Sequence, residues 1–233
     1  MKKRGGTHVG IVLSFVIFVV FLVFLYSILV EPTITQNDKK YLLENLKIKL
    51  IENISAELIT STINIQTAPQ NCVRLENLID DFGINSKIIV KNKLGNNQVS
   101  YVLGDDLEIS RDSNDKTFFK IYYSEEFSGI SNVGETPCNK RNHEKGLTRT
   151  DKYIFETKII NLMNIYKNDY ETLKGKLEIP FGSDFNFGFK YNNQTLLITE
   201  KNVSTNVYAV EIPVQYIDNE SNILLGFINI KVW

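Results

Sequence analysis

The first thirty residues constrain this chain more than any other stretch. A basic head, Met1-Lys2-Lys3-Arg4, leads through Gly5 and Gly6 into Val9–Val30, which carries no charged residue. A bilayer core requires about 20 apolar residues as helix, and this run has that length. Only Gly10, Ser14, Tyr26 and Ser27 interrupt its Val, Ile, Leu and Phe. A helix packed on the core of a globular domain would show a polar face, and none exists here. Lys2, Lys3 and Arg4 flank one side, while Glu31 and Asp38 follow on the other. The positive-inside rule then predicts a single-pass segment in the cell membrane, N-terminus cytoplasmic and the remainder extracellular. An uncleaved signal anchor fits this pattern. A secretory signal peptide does not, because the apolar core is too long and no small-residue cleavage site follows it.

The remaining roughly 200 residues suffice for one large or two small domains. With 26 basic and 27 acidic residues the net charge is -1. The absence of a basic excess argues against nucleic acid as partner. Two cysteines, Cys72 and Cys138, both fall in the part expected outside, where an even count predicts a disulfide.

Pro32 predicts the end of the first helix, since proline disfavours helical geometry in the residue before it. Thr35-x-x-Asp38 resembles a capping box, and Leu43, Leu46, Leu50 and Ile54 then recur at helical spacing. These signals predict an amphipathic stalk helix. The expected organisation is a basic head (1–8), a transmembrane or filament-core helix (9–30), the stalk (31–53) and an extracellular head (54–233).

Within the head, Leu58–Ile65 alternates with period two and reads as a strand. Leu75, Leu78, Ile79 and Phe82 predict a short helix closed by Gly83. Short strands follow at Lys87–Lys91, Gln98–Leu103, Leu107–Ser110 and Thr117–Tyr123, separated by Asn-, Asp- and Gly-rich turns. Glu125–Thr150 reads as a long exposed loop. Phe155, Ile159, Leu162, Tyr166, Tyr170, Leu173 and Leu177 predict one long amphipathic helix that packs on a sheet. Phe185–Tyr191, Thr195–Glu200, Val207–Ile217 and Ile223–Trp233 read as strands, the last two joined as a hairpin. Pro213 marks the first of that pair as an edge strand or a bulged one. The fold class expected is therefore α+β: a transmembrane helix, a stalk and a mostly antiparallel β-rich head with one long helix.

Arg4-Gly5-Gly6 directly before a long apolar helix resembles the class III signal peptide of archaeal type IV pilin-like proteins. The closing stretch, Glu211-Ile212-Pro213-Val214 and then Phe227–Trp233, also resembles members of that group. The resemblance implies cleavage after Gly5 or Gly6 and retention of Val9–Val30 as a filament core. It implies a structural surface subunit that self-associates, or joins other pilin-like subunits, through that helix. Many type IV pilins carry a glutamate at the fifth mature position. Here that position is Gly10 or Ile11, so register cannot be set by that charge. Gly6-x-x-x-Gly10 offers a small-residue site for close helix approach. Phe15, Phe18, Phe21 and Phe24 drift about 60° per step and so spiral round the helix without forming one face. The alternative is a signal-anchored surface protein, with lipid as its partner and a head that binds a protein or glycan in adhesion.

No catalytic constellation emerges. His143 is the only histidine outside the N-terminal segment, which leaves Cys138 with His143 as the one imaginable nucleophile–base pair. Asp80-Asp81, Asp105-Asp106 and Glu125-Glu126 are adjacent carboxylates, which point to opposite faces on strands and solvate turns elsewhere. Asp112-x-Asn114 begins like a calcium loop, but Lys116 breaks the ligand spacing. No enzyme activity, metal or cofactor is expected. The sequons Asn193, Asn202 and Asn219 lie in predicted turns or near strand ends and are candidate glycosylation sites; Asn53, at a helix end, is a weaker one.

Overall fold

The computed structural model describes residues 6–65, 71–83, 87–110, 117–129, 138–199 and 206–233, with the side chains of α1 described at 10–26 and 38–54. One helix, α1 (Gly6–Ile54), replaces the two expected. Proline removes a single i→i−4 bond, and the turns on either side of Pro32 keep theirs. The helix therefore runs through that position for about 74 Å. No helix starts at Thr35-x-x-Asp38, where a capping box was expected.

The expected transmembrane helix, and with it the single-pass anchor, is overturned. Among the described residues no helix is long and apolar enough to cross a membrane.

From Ile54 the chain enters β1 (Ser55–Ile65) without a linker. The order continues β2 (Cys72–Leu75), α2 (Leu78–Phe82), β3 (Ile88–Asn92), β4 (Asn97–Gln98), β5 (Ser100–Leu103), β6 (Asp106–Ser110) and β7 (Phe118–Tyr123). Then come β8 (Asn139–Lys140), β9 (His143–Phe155), α3 (Glu156–Asn168) and α4 (Tyr170–Lys176). β10 (Phe185–Tyr191), β11 (Leu196–Ile198), β12 (Tyr208–Ile217) and β13 (Ile223–Val232) close the chain. A nine-stranded sheet runs β11-β10-β13-β12-β9-β1-β7-β3-β4, and a second sheet runs β5-β6-β2-β8.

Most strand pairs are antiparallel, but both sheets are mixed: β12 pairs β9 in parallel, as does β2 with β8. The strand expected at Gln98–Leu103 divides at Val99, with β4 in the large sheet and β5 in the small one. The Glu125–Thr150 loop contains most of β9, a thirteen-residue strand. Nearly all of its first ten residues are exposed, so no apolar alternation announces it; its backbone ladder to β1 makes it a strand. The long helix at 155–177 is broken at Asp169, whose backbone leaves helical geometry and whose carboxylate caps the Thr172 N–H.

Two cores lie along the large sheet. In the first, Leu42, Leu43, Leu46, Leu50 and Ile54 of α1 pack with Ile159, Leu162 and Tyr166 of α3 on Phe185, Phe187 and Phe189 of β10 and on Ile228 and Ile230 of β13. In the second, β1, β3 and β7 face the small sheet and α2 through Ile63, Ile88, Val90, Phe119, Leu75, Leu78 and Leu107. Leu58, Phe127, Phe155 and Ile217 join the two where β9 meets β12. Beyond that junction, at Tyr216 and Ile217, β12 has β13 alone as its ladder neighbour. Pro213 sits on this open stretch, where its missing N–H costs no ladder bond.

Gly226 is fitted under an aromatic ring: a Cβ there would lie 2.5 Å from Phe189 Cζ and 3.1 Å from the Lys190 carbonyl. Gly226→Ala is expected to lower stability by about 1–3 kcal/mol in urea unfolding, through overpacking against β10.

The phenol of Tyr191 donates to Glu156 Oε1 at 2.6 Å and that of Tyr170 to Asp184 Oδ1 at 2.9 Å. Burial first, and the carboxylate partner second, push both hydroxyls well above the ordinary tyrosine value. The unfolded chain ionises them near pH 10, so their contribution is intact below about pH 10 and is lost as the pH climbs toward the raised values. Tyr191→Phe is expected to flatten that alkaline loss of stability in denaturant titrations at stepped pH.

Candidate functional site

The part of the molecule that chemistry leaves unfinished is the N-terminal arm of α1. Ile11 to Phe24 hold apolar side chains exposed by 39% to 66%, interrupted only by Ser14. Phe15, Phe18, Phe21 and Phe24 are exposed to similar extents, 54% to 66%, as expected for residues that spiral round the helix. No side of the arm rests on the head. Monomeric proteins rarely expose contiguous apolar patches above a few hundred Å², and larger ones mark interaction sites.

Where α1 meets the head, its inward side is the leucine stripe and its outward side carries Tyr41 and Ile48, exposed by 77% and 63%. A spacing of seven keeps these two on one side of the helix. Beside them a groove of about 530 Å³ runs between Asp38–Asn45 of α1 and Glu178–Ser183, lined by Tyr41, Leu42 and Pro180. The fully exposed Phe181 stands in the same turn. Lys39 donates to Ser183 Oγ at 2.6 Å and Lys49 pairs with Glu178, so the groove has fixed walls. Sequence reasoning missed Tyr41, Ile48 and Phe181. The seven-residue spacing outside the leucine stripe was the available signal for the first two.

A second cleft, of about 440 Å³, lies between the end of α1 and α3 and is lined by Glu52, Asn53, Glu126, Lys158 and Lys176. Two of its charged groups, Lys158 and Glu126, lie 3.9 Å apart and are also held by neighbours. Lys158 donates to the Ser55 carbonyl at 2.9 Å, and Thr157 donates to Glu126 at 3.1 Å.

Cys72 and Cys138 form the expected disulfide, with Cα atoms 5.2 Å apart. Cys138 is thereby not a free nucleophile, and His143 lies at the start of β9. The adjacent carboxylates are separately employed: Asp106 accepts the Asn77 N–H, Asp81 pairs with Lys145, Glu125 with Lys87, and Glu126 with Thr157. Gly6 opens α1, whereas Gly5, Asn202, Asp112, Asn114 and Lys116 lie outside the described residues. Asn193 and Asn219 occupy exposed turns, Asn193 accepting the Thr195 N–H through its side-chain oxygen. Among the described residues no group of three His, Cys, Asp or Glu side chains could hold a metal ion. No family model matches the chain, and no curated protein or solved structure matches it.

The disulfide closes a loop between residues 66 apart, joining β2 to the segment entering β8. Replacing both cysteines by serine is expected to lower stability by about 4 kcal/mol, read as a downward shift of the thermal midpoint.

Proposed function

We propose that the chain is a structural, pilin-like filament subunit that assembles through the N-terminal arm of α1. The observation that carries this reading is the arm itself, a helix with bulky apolar side chains exposed on every side and no seat on its own head. Burying one Leu, Ile, Val or Phe side chain contributes about 1.5–3 kcal/mol, so covering the arm with neighbouring arms supplies a large driving force. A contact in which one copy's arm lies against different faces of its neighbours is heterologous, and repeating it builds a helical filament. The head supports the same role. α1 continues without a linker into β1, a central strand, so the arm is joined directly to the middle of the large sheet. The disulfide suits an oxidising compartment.

Processing and assembly test the reading together. Protein isolated from its native source is expected to lack the residues through Gly5 or Gly6 by N-terminal mass. In electron micrographs it should form filaments. Phe18→Lys, which places a charge mid-arm without touching the head, is expected to leave monomers whose head unfolds at the wild-type temperature. A native chain with an intact basic head that sediments as a monomer would sink the proposal.

A further inference from the structure

A lysine is buried between the two halves of the large sheet, and its amine rests on a carboxamide. Lys91 of β3 is only 4% exposed, and its Nζ donates to Asn222 Oδ1 at 2.7 Å. Asn222 closes the turn between β12 and β13, so this contact reaches from the β-sandwich half to the helix-packed half, across 131 residues of sequence. The same carboxamide donates from Nδ2 to Asp218 Oδ2 at 2.9 Å, with Glu220 Oε2 at 3.5 Å from that nitrogen. Asp218 is itself fixed, its Oδ1 accepting the backbone N–H groups of Glu220 and Asn222 at 2.9 and 2.8 Å. The ring of Tyr122 covers the amine, with Nζ 5.7 Å from its centroid.

From this arrangement we infer that Lys91 and Asn222 are the partners of an intramolecular amide cross-link, formed by the protein itself with Asp218 as proton carrier. The geometry holds each participant where the reaction requires it. The Asn222 Cγ is one bond beyond the oxygen that Nζ touches, so a small rotation of the carboxamide brings the pair to the roughly 3–3.5 Å of a near-attack arrangement. Burial lowers the Lys91 amine from its ordinary value, more than the nearby Asp218 and Glu220 raise it, and this favours the free amine that attacks.

The step balances without a co-reactant. The Nζ lone pair adds to Cγ, and the carbonyl electrons move to Oδ1. In the tetrahedral adduct Nζ and Nδ2 share Cγ, and there the Asp218 carboxylate, already bonded to Nδ2, takes the proton that Nζ sheds and delivers it to Nδ2. The Cγ–Nδ2 bond then breaks as the carbonyl reforms, releasing ammonia. One Nζ–Cγ amide is gained for one primary amide lost. The result is a covalent tie between β3 and the β12–β13 turn, bridging the junction where β9 and β12 share only two paired positions.

Mass spectrometry of the full chain decides the matter, and the wild type suffices. After reduction and tryptic digestion, the peptides containing Lys91 and Asn222 are expected as one joined species, lighter by one ammonia than their sum. Cleavage after Lys91 should be lost, because an acylated lysine is not a trypsin site. Lys91→Arg and Asn222→Ala should each abolish the joined species. Asp218→Ala, which keeps both partners, should yield them unjoined. Recovery of the two wild-type peptides only as separate species, each at its unmodified mass, overturns the inference, as does full cross-linking in Asp218→Ala. Neither outcome depends on whether α1 assembles filaments.

Discussion

The packing of the lower half of α1 against the sheet is the contact on which the rest of the structure depends. Leu46 and Leu50 are almost wholly buried, with Leu42 and Leu43 close behind, over the phenylalanines of β10 and the isoleucines of β13. That contact gives the first core its floor, and it fixes the direction in which the other half of the helix leaves the head. Because one unbroken helix does both jobs, the orientation of the exposed arm is set by leucines several turns away. A break at Pro32 would have uncoupled them. The helix instead continues, at the cost of one backbone hydrogen bond.

The head is built on the same directness. β1 takes over from α1 at Ser55 and lies between β9 and β7, so anything that pulls on the arm pulls on the middle of the large sheet. Antiparallel ladders on both sides of β1 distribute that load over many backbone bonds. The weaker place is where the sheet's two halves meet. β9 and β12 pair only at Ile154–Tyr216 and Phe155–Ile217, backed by the small cluster of Leu58 and Phe127. The Lys91–Asn222 contact spans this same joint, and the buried polar pair has a mechanical reason to be there.

The parts of this architecture legible in the sequence are those with a one-sided burial pattern. The leucine stripe of α1 and the alternation in the second half of β13 carry a period, because one face of each is dry and the other wetter. β9 was invisible for the converse reason. Its side chains from His143 to Lys152 are mostly exposed, and what makes it a strand is hydrogen bonding to β1, which no side-chain period records. The break between α3 and α4 was hidden because the apolar spacing continues across it. Only Asp169, a residue that prefers to cap, marked the place. The apolar run at the N-terminus was the loudest signal in the sequence, yet hydropathy alone does not say what covers such a run.

The same limit explains why the Lys91–Asn222 contact could not be read in advance. Lys91 sits in a strand where alternation places it as an ordinary polar neighbour of Val90, and Asn222 belongs to a turn rich in the residues that turns favour. Each has a sufficient local reason to be where it is. The chemistry resides in their juxtaposition, which depends on the large sheet bringing β3 and the β12–β13 turn together from opposite sides of β1. Burial does the rest. An ammonium held away from water is costly unless it is paired or loses its proton, and here the nearest group is an amide oxygen while the carboxylates of Asp218 and Glu220 bond to the far side of that amide. A site arranged for stable ion pairing would place the carboxylate on the amine. This one places the carboxylate on the nitrogen that an acyl transfer would expel.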